Sequence, residues 1–270
     1  MADYLMRDDA PLSSHEWGKL DEVVEAVARR VLVGRRFVPL AGPFGIGTQV
    51  LPLDEIERSE ACMHGAEPCE DEAISVTSRS YIPVPMIHKD FMLNWRDVES
   101  ARQTGHGLEL APAAAAAASV ARAEDQMVIA DGLLKSAGQR LALSDWSESG
   151  NPINDVSAAS AALAQAGVFG PYTLVLSTAL FAMLQRPFRH SGQLESKLVQ
   201  AIADGGIFQS PAITGNQALL VAQGAQYMDL AVAQDLTTAY LGPEGMDHRF
   251  RVLESLVLRV KQPAAVCVIE

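Results

Sequence analysis

The stretch LELAPAAAAAASVARAEDQMVIADG, residues 108–132, reads as one long helix. Its run of six alanines, Ala113 to Ala118, has the strongest intrinsic helix propensity of any residue type. Pro112 suits a first turn, where its missing N–H costs nothing. Ala121, Val128 and Ile129 supply an apolar side, and Gly132 is the expected stop.

Working back from this helix, a second one stands near the start. Ser13 followed by Glu16 is a capping box, and Trp17, Leu20, Val24, Val27 and Val31 recur at helical spacing. Arg29 and Arg30 fall in its last turn, where the helix dipole favours cations, and Gly34 is a natural end. The glycines of Gly42-Pro43-Phe44-Gly45-Ile46-Gly47-Thr48 fit neither the dinucleotide fingerprint nor the Walker loop, so turn geometry explains them. Residues 54–80 are acidic. Ile74 to Ser78 alternates like a strand, and Ile82 to Ile87 is extended and broken by prolines. Two strands with an irregular tip fit this segment. Such an arm is too poor in apolar residues to form a core and must lie on something else.

Downstream, a helix is expected from Asp155, as N-cap, to Ala166, then a buried strand at Tyr172–Ser177 and a helix from Leu194 to Asp204. Strands follow at Ala218–Ala222, Asp229–Ala233 and Arg249–Val260. The segment Pro263–Ile269 reads as a buried edge strand, since proline is confined to strand starts and edges. From Val156 to Gln185 no side chain is charged, a length sufficient to span a bilayer. Gly167-Val168-Phe169-Gly170-Pro171 breaks it, so helix, turn and strand is the better parse. The class is α+β.

Acidic residues number 33 and basic ones 21, a net charge of −12. Binding phosphates needs a surplus of Lys and Arg, so neither nucleic acid nor an anionic membrane is expected as a partner. With 49% hydrophobic and 20% charged residues, the chain has the composition of a packed globule. Three cysteines make no disulfide framework, and the first nine residues lack a leader pattern, so the cytoplasm is the expected compartment. Catalytic signatures are missing: there is no G-x-S-x-G elbow and no H-E-x-x-H pair. Cys62, His64 and Cys69 form the only grouping with metal-ligand character. A fourth ligand would have to be recruited from the nearby carboxylates, and incidental cysteines in an acidic loop are the better reading, so neither metal nor cofactor is expected.

The whole chain nevertheless resembles the encapsulins, shell proteins of bacterial and archaeal nanocompartments. The resemblance rests on short pieces in order: Ala10-Pro11-Leu12-Ser13, Trp17, Leu20-Asp21, Gly34-Arg35-Arg36-Phe37-Val38, Gly42-Pro43-Phe44-Gly45, Glu124-Asp125 and Gly132. It continues through Gly170-Pro171-Tyr172-Thr173-Leu174-Val175, Gly205-Gly206-Ile207, Ser210-Pro211, Gln234-Asp235-Leu236 and Glu254-Ser255 to Pro263-Ala264-Ala265. Pro39 departs from the family, whose members often carry an acidic residue there.

The resemblance implies the fold of tailed-phage major capsid proteins. Residues 1–49 would hold the N-terminal helix and the start of the P-domain, 50–85 the E-loop, 86–132 the P-domain with its spine helix, 133–220 the A-domain, and 221–270 the strands that return to the P-domain. It also implies a homo-oligomeric icosahedral cage of about 60 copies. Such a cage would enclose a ferritin-like protein or a dye-decolorising peroxidase, held by its C-terminal targeting peptide. The implied cargo contacts are Val24, Val27, Val31, Arg35 and Val38, with Leu230 and Val232 from the returning strand. Arg189 and His190 would line a pore on the fivefold axis. The contrasting reading is an enzyme in its own right, such as a hydrolase or protease, for which the chain shows no nucleophile with its base.

Overall fold

Helix α1 (Ser14–Val31) starts at the expected cap: Ser13 Oγ accepts the Glu16 N–H at 3.3 Å, and the Glu16 carboxylate accepts the Ser13 N–H at 2.7 Å. The computed structural model describes residues 4–56, 74–105, 107–189 and 191–270. After the short β1 (Leu40–Ala41), β2 (Val50–Ile56) and β3 (Val76–Pro83) pair antiparallel as a two-stranded ribbon, with Asp54 opposite Arg79. At the foot of the ribbon Leu51, Ile82 and Val84 pack on Ala231 and Val257, while Val50, Ile56, Val76 and Tyr81 are exposed. A two-stranded arm agrees with the sequence, but its first strand is Val50–Ile56, and residues 82–87 divide between β3 and the strand that follows. The expected irregular tip lies outside the described residues, and the ribbon leaves apolar side chains without cover. The grouping of Cys62, His64 and Cys69 lies outside the described residues.

Strand β4 (Met86–Leu93) leads into α2 (Trp95–Thr104), which Asn94 caps and Gly105, at φ 72°, ends. The sequence reading passed over α2 because Val98 is the only residue it buries. The alanine helix α3 (Ala111–Asp125) continues through a π-helical stretch, Gln126–Leu133, into α4 (Leu134–Ser136). It does not stop at Gly132. A Cβ there would stand 2.5 Å from Leu258 Cδ2 and 3.0 Å from the Met127 carbonyl, so this glycine permits close packing rather than ending the helix.

The remaining elements are β5 (Gln139–Leu141), α5 (Asn151–Gln165), β6 (Tyr172–Leu176), α6 (Thr178–Leu184), α7 (Glu195–Gln200), β7 (Gly206–Gln209), β8 (Ala218–Ala222), β9 (Met228–Glu244), β10 (Asp247–Val260) and β11 (Val266–Ile269). Three sequence expectations change here. Asp155 lies inside α5 rather than capping it, because its carboxylate accepts from Ser144 N, Ser144 Oγ and Trp146 Nε1 at 2.8–3.0 Å. Strand β9 extends well past Ala233, since β10 pairs with it from Met228 to Glu244. Strand β11 is not an edge. It lies between β5, to which it is parallel, and β8, to which it is antiparallel, while Pro263 sits in a short 3-10 turn before it.

Two sheets organise the core. The first has the order β1-β9-β10-β4, the second β5-β11-β8-β6-β7. On the first, Trp17, Leu20 and Val24 of α1 meet Ala113, Ala116, Ala117 and Val120 of α3 over Phe91, Tyr240 and Phe250. The alanines let the two helices approach closely. Phe250 anchors this cluster, with its ring stacked on Phe91 at 5.4 Å and edge-to-face with Trp17 at 5.7 Å. Each such buried large side chain contributes roughly 1.5–3 kcal/mol. The second sheet buries β8 and β11 along their whole length, as continuous apolar runs require. Val128, Ile129 and Leu133 of the π-helical stretch pack into that second core. One continuous helix therefore ties both sheets together. No helix among the described residues is long and apolar enough to cross a membrane: the uncharged stretch from Val156 to Gln185 divides into α5, a turn, β6 and α6.

Candidate functional site

A groove of about 630 Å³ runs between α1 and the middle of β9. Val24, Ala28 and Leu32 line it from α1 and the cap that follows, Leu40 from β1, and Leu236 from β9. Its charged lining is largely neutralised. Arg7 makes a bidentate pair with Asp21 at 2.7 and 2.8 Å, covers the Trp17 ring at 4.4 Å and donates Nε to the Thr238 carbonyl. Arg29 pairs with Glu25 one turn away.

The floor of the groove is Arg35, in the 3-10 turn Gly34–Arg36 that follows α1. Gly34 packs closely there: an added Cβ would meet Val128 Cγ1 at 3.0 Å, so Val128 would have to give way. The turn is pinned by Asp125, whose carboxylate accepts the Val33 and Gly34 N–H groups at 2.9–3.0 Å. Burial pushes Asp125 up to about 6, against the pull of those two donors. Arg35 then spends its whole fork, with Nε to Glu124 at 2.8 Å, Nη1 to Asp235 at 2.7 Å and Nη2 to Glu254 at 2.9 Å. Burial on its own would lower the Arg35 pKa, but the three carboxylates outweigh it and hold the guanidinium firmly charged. Burial first, and then the neighbouring Glu124 charge, push the Glu254 carboxyl up to about 9. Asp235 is held below the usual carboxylate range: burial opposes this and the Arg35 contact overcomes it.

The structure distributes the sequence-derived contacts unevenly. Val24 and Arg35 line the groove. Val27 packs half-buried on the cluster between α1 and α3. Val31 lines a separate cavity beyond the end of α1. Val38, Leu230 and Val232 are enclosed in the core, where Leu230 faces Leu40 across the β1–β9 ladder. Leu40 and Arg7, which the sequence reading missed, do line the groove. Arg7 carried no signal, because its contact with Thr238 joins positions 231 residues apart. Asp235 and Leu236 were legible only as part of a family-like tripeptide.

Arg189 is exposed in the loop between α6 and α7, and its N–H donates to Ser149 Oγ at 3.3 Å. His190 lies outside the described residues. Arg186 folds this loop onto the 147–150 turn by donating to the Ser147 and Glu148 carbonyls at 2.7 and 2.6 Å. The fully buried Glu195 carboxylate accepts from Ser149 Oγ and Gly150 N beside it. Cys267 is buried in β11, which raises its thiol to about 11.

A family model described as an encapsulating protein for peroxidase matches residues 2–257. The type 1 encapsulin shell protein EncA of Myxococcus xanthus is 38% identical over 279 residues, covering 100% of this chain and 97% of that protein. A virus-like particle protein from Pyrococcus furiosus superposes with a TM-score of 0.79 at 25% identity, over 96% of this chain and 100% of that one. The capsid protein of Myoviridae phage XM1 superposes with a TM-score of 0.59 at 13% identity, over 86% of this chain and 88% of that one, a likeness of fold. With a phage-capsid fold and a family match running nearly end to end, this chain belongs to the encapsulin shell proteins, which build nanocompartments and are not enzymes.

Proposed function

We propose that copies of this chain close into an icosahedral shell in the cytoplasm and that the α1–β9 groove receives the C-terminal targeting peptide of an enclosed enzyme. A ferritin-like protein or a dye-decolorising peroxidase is the expected cargo. The smallest shell, about 60 copies, suits a chain of this length. In this reading β2 and β3 are the E-loop and seat their exposed apolar residues on a neighbouring copy. The first sheet with α1 to α3 is the P-domain, and within residues 221–270 its return strands are β9 and β10, while β11 joins the second sheet. Residues 133–220 form the A-domain, whose loop with Arg189 and His190 faces the fivefold axis and admits small solutes.

The groove itself is the observation that carries the docking assignment. Leu40 is an exposed aliphatic side chain beside Val24, Leu32 and Leu236, and Arg7, Arg29 and Arg35 around it are already paired with carboxylates, so an extended peptide gains most by presenting aliphatic residues. Burying one such side chain is worth roughly 1.5–3 kcal/mol. Co-expression with a fluorescent protein carrying a family targeting tail tests the assignment. Leu40→Asp should yield intact shells with loading reduced at least tenfold. Unchanged loading in intact shells would remove the groove from cargo binding.

A further inference from the structure

A second cavity, of about 510 Å³, opens beyond the C-terminal end of α1, between α3, the start of α6 and the β7–β8 connection. Arg30, Arg36 and Arg122 all line it. Most arginines of this acidic chain are neutralised by a carboxylate. Among the described residues, Arg30, Arg36, Arg96, Arg122 and Arg189 are the ones without an ion-pair partner, so three of these five converge on one cavity. Arg36 is held in place by the Leu32 and Arg30 carbonyls at 3.0 and 3.4 Å and by the Phe208 ring at 5.7 Å, and Arg122 donates to Ser119 Oγ at 3.2 Å. The one acid in the lining is Asp125, buried and engaged by two backbone N–H groups. The cavity thus carries a net positive charge within a chain of net charge −12. Apolar surface from Val31, Val33, Pro211 and Ala212 completes it.

We propose that this cavity is an anion site for a phosphate group, either free phosphate or a phosphate monoester with an apolar body. Guanidinium forks match the oxygens of a phosphate, and three of them converging on one cavity hold it more strongly than scattered surface lysines would. The site is separate from the cargo groove, although Arg36 borders both. A bound phosphate would bridge the end of α1 to α3 and so stiffen the wall that the two cavities share.

Titration calorimetry on assembled shells at fixed ionic strength, with inorganic phosphate and phenyl phosphate in separate arms, tests this. Saturable binding of one site per chain is expected, weakened at least tenfold in the Arg30→Gln/Arg122→Gln variant and unchanged in Arg96→Gln. Tighter binding of phenyl phosphate assigns a monoester, and equal binding assigns free phosphate; either supports the site. No saturable binding in either arm overturns the proposal. So does equal affinity in the double variant. Circular dichroism and particle size of the variants establish that a loss reflects the site and not the fold.

Discussion

Arg35 donates its Nε to the Glu124 carboxylate at 2.8 Å, joining the turn after α1 to the long helix across 89 residues of sequence. Glu124 is fully buried, so this guanidinium is its compensating charge. The same fork reaches Asp235 on β9 and Glu254 on β10, so one side chain clamps the floor of the groove to three elements.

Removing one partner of such a buried pair strands the other. Arg35→Met should therefore destabilise the folded chain by about 3–5 kcal/mol. Adding Glu124→Gln to that variant should restore a large part of the loss, because the fully buried carboxylate is then no longer charged and Asp235, which has also lost its partner, is exposed. Urea unfolding midpoints of the two variants and the parent measure this. A double variant no more stable than Arg35→Met would show that the ion pair is not the cause.

Glu254 links the clamp to pH. Its folded pKa lies above the ordinary 4.5, at about 9, so the folded state holds the proton more tightly than the unfolded one. That contribution is fully present below pH 4.5 and is lost as pH rises through about 9. Glu254→Gln mimics the protonated form and should flatten the decline of melting temperature across this window. Parallel curves for parent and variant would refute the assignment.

At Gly132 the argument is steric. Its added Cβ would lie 2.5 Å from Leu258 Cδ2 and 3.0 Å from the Met127 carbonyl, so the buried Leu258 side chain and the helix turn would have to shift. Gly132→Ala should cost about 1–3 kcal/mol although alanine is the better helix former. A variant as stable as the parent in urea would return Gly132 to a mere propensity effect.

The pore reading puts Arg189 of each copy near one axis. Arg189→Ala should slow entry of small anions into shells loaded with a reporter enzyme severalfold and speed entry of cations, by loss of Coulomb focusing. Stopped-flow quenching of an enclosed fluorophore by iodide and by thallium ions reads both directions. Equal rates in parent and variant would move Arg189 away from the pore.

Several elements were legible in the chain because their causes are local. The Ser13–Glu16 cap, the apolar stripe of α1, the alanine run of α3 and the uninterrupted apolar strand β8 each follow from neighbouring residues. The same holds for the acidic arm, whose shortage of apolar residues shows that it cannot pack alone. Family membership was legible too, because many short pieces recur in order even though no single piece carries a function.

Tertiary structure alone decided what those residues face. The stripe of α1 was offered as a peptide surface, yet Trp17 and Leu20 are spent on the core and only part of Val24 and Leu32 borders the groove. Leu230 and Val232 looked available on a strand and are enclosed, because their face of β9 packs into the core with Phe37, Val38 and Leu256. Gly132 read as a stop and is instead a close approach to Leu258. Periodicity shows which side of an element is apolar. Whether that side meets solvent, a ligand or another element depends on residues a hundred or more positions away, and those meet only once both sheets have closed on the central helix.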